Sequence, residues 1–268
     1  MSSKKRRLVV KVGTSTLTNE EGKSNLRNME KIARVLSDIH NMGNEVILVS
    51  SGAIAVGANK MRLREKPESL RMKQAAAAVG QSENMFLYDK FFGEYGKTVA
   101  QILLNADDIT QDEKKFNLSN TFETLLEQGV IPIVNENDSV SYTEIESEEK
   151  LFSDNDVLSA VVSVLCNADM LVILSDIDGF YDKDPRLFKD AKLIDRIDVI
   201  DDTAYELAGG AGSRRGTGGM RTKIQAAELA TSNGTSTLVT NGNRPEALYD
   251  IVEGRKTGTL FSANRTGR

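Results

Sequence analysis

"LVVKVGTS", Leu8–Ser15, runs an apolar, strand-like stretch, Leu8–Val12, straight into a small turn, Gly13-Thr14-Ser15. Lys11 interrupts the apolar stretch. A lysine inside a strand can mark a sheet edge, where it deters aggregation. A first strand that feeds a glycine turn is more often central in layered α/β folds, and there the lysine would need a purpose.

The same arrangement recurs along the chain. Glu45–Val49 is followed by Ser50-Ser51-Gly52, and Val130–Val134 by Asn135-Glu136-Asn137-Asp138. Met170–Leu174 leads into Ser175-Asp176, and Thr235–Thr240 into Asn241-Gly242; Lys97–Leu104 is a further strand. Helical patterns separate them: Leu26–Met42, closed by Gly43, then Ser69–Tyr95 with Gly80 as a weak point, Glu113–Gln128, Asn155–Cys166 and Met220–Asn233. This alternation predicts a mostly parallel sheet covered by helices on both faces, a three-layer αβα sandwich. With no repeat, low-complexity tract or linker, residues 1–268 read as one domain; the least regular parts are Thr143–Lys150 and Asp176–Asp202.

In an open parallel sheet, ligands bind beyond the carboxyl ends of the strands. Any one of the five post-strand turns could be an ordinary turn. Five at one edge, two of them pairing glycine with serine or threonine, favour an anion-binding site.

Composition excludes several alternatives. A formal charge of −5 over 268 residues argues against nucleic-acid binding. The basic start, Lys4-Lys5-Arg6-Arg7, reads as a solvated tail. No apolar stretch is long enough to span a membrane; Leu158–Leu174 is broken by Asn167 and Asp169. Cys166 is the sole cysteine, so an intramolecular disulfide is impossible, which fits a reducing cytoplasm. His40, the sole histidine, shares a helical face with Met29, Ile32, Ala33 and Leu36 and is expected to pack there. A histidine-based metal site and a serine–histidine triad are thereby disfavoured. Asp107-Asp108 and Glu144–Glu149 read as solvated or helix-starting charges, so no metal ligand is assigned.

"GTGGMRTK", Gly216–Lys223, closes a stretch in which six of the eleven residues from Gly209 to Gly219 are glycine. It is not a Walker A sequence, because Lys223 already lies on the following helix. A helix N-terminus still offers unpaired N–H groups and partial positive charge to an anion. A surface loop with a solvated lysine is the equal alternative. Lys11 and Lys223 together could stabilise charge developing on a transferred phosphoryl group. The sequence shows no obvious general base; a carboxylate acceptor, ionised at neutral pH, would need none.

"LVVKVGTSTLT", "EVILVSSGAIAVG", "QAAAAVGQ", "PIVNENDSV", "SDNDVLSA", "SDIDGFYDKDPR" and "GTGGMRTKIQAA" occur in order from Leu8 to about Phe261. Together they resemble the amino acid kinase family, and within it the branch that phosphorylates the side-chain carboxylate of L-glutamate, the first step of proline synthesis. The resemblance implies that family's fold and ATP as co-substrate, with Mg2+ arriving on it. It also implies a cytoplasmic homo-oligomer inhibited by proline. Many members continue into a PUA domain, which this sequence is expected to lack. Carried over by position, Lys11 and Lys223 would touch the transferred phosphoryl group and Asp156 would orient both. Ser51, Gly52, Asp138 and Asn155 would bind glutamate. ATP would meet Lys11, Ser175, Asp176, Thr217, Gly218, Gly219, Met220, Arg221, Thr222 and Lys223. Other acylphosphate- or carbamate-forming kinases of the fold, or a non-catalytic amino-acid or nucleotide sensor, are the alternatives. If Asp156 only served the start of its helix, Asn should replace it with little cost. On either reading the expected change in melting temperature for Asp156→Asn is a few degrees, about that of 1 kcal/mol.

Overall fold

A computed structural model describes residues 5–19, 21–140, 154–208 and 219–263. The chain opens with β1 (Arg7–Val12), α1 (Thr14–Leu17), α2 (Leu26–Asn41) and β2 (Glu45–Val49). α3 (Ala53–Lys60), α4 (Leu70–Gly93), β3 (Val99–Leu104), α5 (Ala106–Thr110) and α6 (Asp112–Glu127) follow. β4 (Ile131–Glu136), α7 (Asn155–Leu165), β5 (Met170–Ser175), β6 (Arg196–Ile197) and α8 (Asp202–Ala208) come next. α9 (Met220–Ser232), β7 (Ser236–Asn241), α10 (Ala247–Val252) and β8 (Thr259–Phe261) complete it.

Among the described residues, eight strands form one sheet in the order β3-β4-β2-β1-β5-β7-β8-β6. Every pairing is parallel except β7 with β8. β1 is internal: Lys11 stands opposite Val49 of β2 on one side and Ile173 of β5 on the other. The edge explanation of Lys11 is thereby removed.

Side chains alternate across the sheet, and each face buries its own core. Val9, Ile47, Val49, Leu171 and Ile173 pack with Phe122, Leu158, Val162, Ile224 and Ala227 from α6, α7 and α9. Leu8, Val10, Val12, Val46 and Leu48 pack with Met29, Ile32, Leu36, Tyr88, Phe92 and Leu248 from α2, α4 and α10. The result is a three-layer α/β/α sandwich. Alternation also decides where Lys11 goes. It shares the face of Val9 and so lies under α7 and α9.

Most predicted elements agree to within two residues. The differences have physical causes. β4 runs two residues further than Val134, through Asn135 and Glu136, because Leu103 and Leu104 of β3 still pair with them. β6 lies inside the stretch expected to be irregular, held by Leu260 and Phe261 of β8. Gly80 is not a weak point: α4 passes through it unbroken. It is a contact point. A Cβ on Gly80 would stand 1.8 Å from the Ala53 carbonyl oxygen, and one on Gly57 would stand 1.7 Å from that of Ala76. The two glycines let the backbones of α3 and α4 touch.

That contact generates a test. Gly57→Ala places carbon on a backbone atom that has no rotamer to yield, so it should cost on the order of 3 kcal/mol, the upper range for overpacking. The melting temperature should fall by roughly 6–12 °C for a chain of this size. Gly93→Ala, where a Cβ meets nothing within 4 Å, should stay within about 0.5 kcal/mol of the parent. Equal melting temperatures for the two variants would refute the close crossing.

Candidate active site

The carboxyl ends of β1, β2, β4 and β5 converge on the first turn of α7. Asp154 is the N-cap of that helix, and its side chain accepts from the Asp156 N–H at 3.4 Å. Asp156 is therefore not the cap. It is the second residue of the helix, fully buried, between two buried lysines.

Lys11 Nζ approaches Asp156 Oδ1 to 2.6 Å, and Lys223 Nζ donates to Oδ2 at 3.1 Å. The Lys11 contact is a close ion pair. Thr222 Oγ1 lies 3.0 Å from Asp156 Oδ2 and 2.9 Å from the Gly219 carbonyl. Burial alone would raise the Asp156 carboxyl, but the two ammonium groups outweigh it and hold its pKa below the usual aspartate range. Two sequence-distant lysines thus meet on one carboxylate, because β1 delivers one from the sheet and α9 the other from the layer above.

The neighbouring residue faces the other way. Asn155 Nδ2 donates toward the Ser50 carbonyl at 2.9 Å, Ser51 Oγ at 2.8 Å and Asn135 Oδ1 at 3.0 Å. Gly52, with φ of 86°, is the left-handed N-cap of α3, a conformation that favours glycine. Ala53 and Asp138 line a cleft of about 400 Å³ with Gln81, Gln101 and Glu136. Asn155 thus meets Ser51 directly, Gly52 precedes the cleft-lining Ala53, and Asp138 lines the cleft itself.

On the opposite side, Ser175 ends β5 buried, its hydroxyl donating to Asp176 Oδ1 at 3.1 Å. Asp176 is exposed and 3.5 Å from Arg186. Gly219 caps α9, and Met220 packs against the core. Arg221 is exposed and lines a second cleft, about 570 Å³, with Asp202, Tyr205 and Glu206. Thr217 and Gly218 lie outside the described residues, as does the whole acidic loop Thr143–Lys150. Among the described residues no cluster of His, Cys, Asp and Glu could hold a metal ion, and no helix is long and apolar enough to cross a membrane. His40 is half-buried with Nδ1 3.0 Å from Lys97 Nζ, and burial and that lysine lower its pKa.

Asn135, Gln81 and Asp154 were not among the residues picked out from sequence. Asn135 is an almost fully buried amide inside a strand, so it must have partners, and here they are Asn155 and Gln81.

Residues 6–241 match the amino acid kinase family, and the chain belongs to it. It is 58% identical over 260 residues to the glutamate 5-kinase of Clostridium perfringens, covering 97% of this chain and 96% of that one. The glutamate 5-kinase of Caldanaerobacter subterraneus subsp. tengcongensis is 50% identical over 95% of this chain, which spans 67% of that relative. Among solved structures, the carbamate kinase from Giardia lamblia bound to AMP-PNP superposes with a TM-score of 0.68 at 16% identity, over 98% of this chain and 99% of that one. The last likeness is one of fold.

The buried triad revises the stability expected for Asp156→Asn. Removing the Asp156 charge takes the shared partner from two buried ammonium groups, a loss of about 3 kcal/mol or more, not a first-turn effect. The melting temperature should fall by roughly 6 °C or more at neutral pH. Because folding lowers the Asp156 pKa, its contribution is complete above the unfolded value of about 3.9 and is lost as pH falls through the folded one. The stability gap between parent and variant should therefore close in acid, below about pH 4. Denaturant titrations from neutral to acid pH would show it. A gap absent at neutral pH, or constant throughout, would contradict the buried ion pairs.

Proposed function

We propose that this protein transfers the γ-phosphoryl group of ATP to the side-chain carboxylate of L-glutamate, yielding glutamyl 5-phosphate for proline synthesis. The observation that carries the reading is the buried Lys11–Asp156–Lys223 triad at the carboxyl end of the central strand, beside a cleft bordered by Asp138. Identity of 58% to a glutamate 5-kinase over nearly all of both chains supports the choice of substrate.

In this reading Lys11 and Lys223 contact the transferred group. Their charges offset the repulsion between an anionic acceptor and an anionic donor as the bond to the leaving phosphate weakens. Asp156 keeps both ammonium groups in place and does not itself exchange a proton. The acceptor carboxylate is already ionised and needs no base. Glutamate binds against Ser51, Gly52, Asn155 and Asp138, the last pairing with its α-ammonium. ATP lies along Ser175, Asp176 and the segment from Thr217 to Lys223. Magnesium enters with ATP as part of the substrate, held largely by phosphate oxygens and water.

A panel of small acids assayed for ADP release tests the reading. Glutamate should turn over and N-acetylglutamate should not, since acylation removes the positive charge that would meet Asp138 and adds bulk at that position. Proline at about 1–10 mM, the weak end of affinities, should inhibit, and added glutamate should relieve it. Comparable use of both acids, or turnover of carbamate alone, would move the protein to another branch of the family. ATP or glutamate binding with no ADP release would make it a sensor.

The role of Asp156 separates from its structural contribution when activity is read well below the variant's melting temperature. Asp156→Asn should there lose about a hundredfold or more in kcat, roughly 3 kcal/mol of transition-state stabilisation. Glutamate affinity, measured by calorimetry, should change much less. Near-normal turnover of the folded variant would leave Asp156 a structural residue.

A further inference from the structure

The motif "QAAAAVGQ", Gln74–Gln81, has no part in the mechanism above, yet its last residue reaches the cleft. The orientation of three amides can be worked out in sequence from one group that cannot be reversed. The Ser50 carbonyl only accepts, so the Asn155 atom 2.9 Å away is Nδ2. That nitrogen is also 3.0 Å from Asn135, which must turn Oδ1 to it. The nitrogen of Asn135 then faces Gln81 at 3.0 Å, so Gln81 presents Oε1. The Gln81 Nε2 donors are left for the cleft that Gln81 lines.

The rest of that cleft narrows the ligand. Among the described residues, its charged lining residues are Glu136 and Asp138, and none of those that line it is basic. An α-amino acid whose ammonium meets Asp138 brings a carboxylate a few ångströms away, and among the described lining residues the groups able to receive it are neutral N–H donors. Gln81 is a side-chain donor held in place there, being half-buried and tied through Asn135 to Asn155.

We propose that Gln81 is a specificity-determining residue that recognises the α-carboxylate of the amino-acid substrate through Nε2, while Oε1 anchors the amide relay to Asn155. The inference rests on the glutamate reading of the same cleft. It requires that the substrate present a carboxylate, not a neutral group, at that position.

The test compares L-glutamate with its α-amide, which keeps the ammonium and the side-chain carboxylate but loses the α charge. In the parent enzyme glutamate should be favoured. Gln81→Glu keeps the acceptor that faces Asn135 and replaces the donor with an anionic oxygen. The ratio of kcat/KM for glutamate over the α-amide should fall by about tenfold or more, through KM more than kcat. Gln81→Met, which removes both functions at similar length, should lower the ratio less than Gln81→Glu; it serves as the readout if the glutamate variant fails to fold. A ratio unchanged while both substrates weaken equally would reduce Gln81 to a structural residue and overturn the proposal, leaving the glutamate reading intact. A parent enzyme that phosphorylates neither compound would remove the reading itself, and the proposal with it.

Discussion

One buried carboxylate organises this molecule. Asp156 is inaccessible to solvent, and within reach of its two oxygens stand two ammonium groups that are themselves buried. Burying one carboxylate and two ammonium groups is costly even when they are paired. A protein selected for stability alone would do better with apolar side chains at these positions. The arrangement makes sense as a site held ready for phosphate oxygens, whose contacts with the lysines would regain part of the desolvation cost on binding.

The sheet makes that arrangement possible. A lysine can be buried at the end of β1 only because β1 is internal, flanked by β2 and β5 in parallel register. On an edge strand the same side chain would reach water. The α9 lysine must come from the layer above, and the packing of α7 on α9 brings Lys223 over Asp156. On the other face of the sheet, the glycine contact between α3 and α4 does comparable work. By letting two backbones touch, Gly57 and Gly80 bring Gln81 of α4 and the N-terminus of α3 to the same cleft. Packing of this kind leaves little freedom for the amides that line the site.

Much of this was legible in the sequence. Strand and helix periods, with small polar turns after each strand, were enough for a layered α/β fold and for the edge where the site lies. The ordered motifs pointed to Lys11, Asp156 and Lys223 as a set, and the structure brings these three side chains into contact. What escaped were features that depend on neighbours distant in sequence. Gly80 looked like a helix weakness because its partner, the Ala53 carbonyl, is 27 positions away and invisible to local propensity. Asn135 looked like a turn residue because its pairing with Leu103 extends the strand only in the assembled sheet. The burial of Asp156 was likewise beyond reach, and with it the size of the effect expected from neutralising it. Periodicity indicates which face a residue takes; it does not tell how much of the molecule will close over it.

The first turn of α7 joins the two halves of the site. Asn155 and Asp156 are adjacent, and successive residues on a helix point about 100° apart. Asn155 turns toward Ser50, Ser51 and Asn135, the side assigned to the amino acid. Asp156 turns toward Lys11 and Lys223, the side assigned to the phosphates. A single rigid helix end, capped by Asp154, therefore fixes the distance between acceptor and donor. Two anions that repel one another cannot be left to find their approach by diffusion within the site. They need a common ruler, and two adjacent side chains on one capped helical turn, each held by buried partners on its own side, supply it.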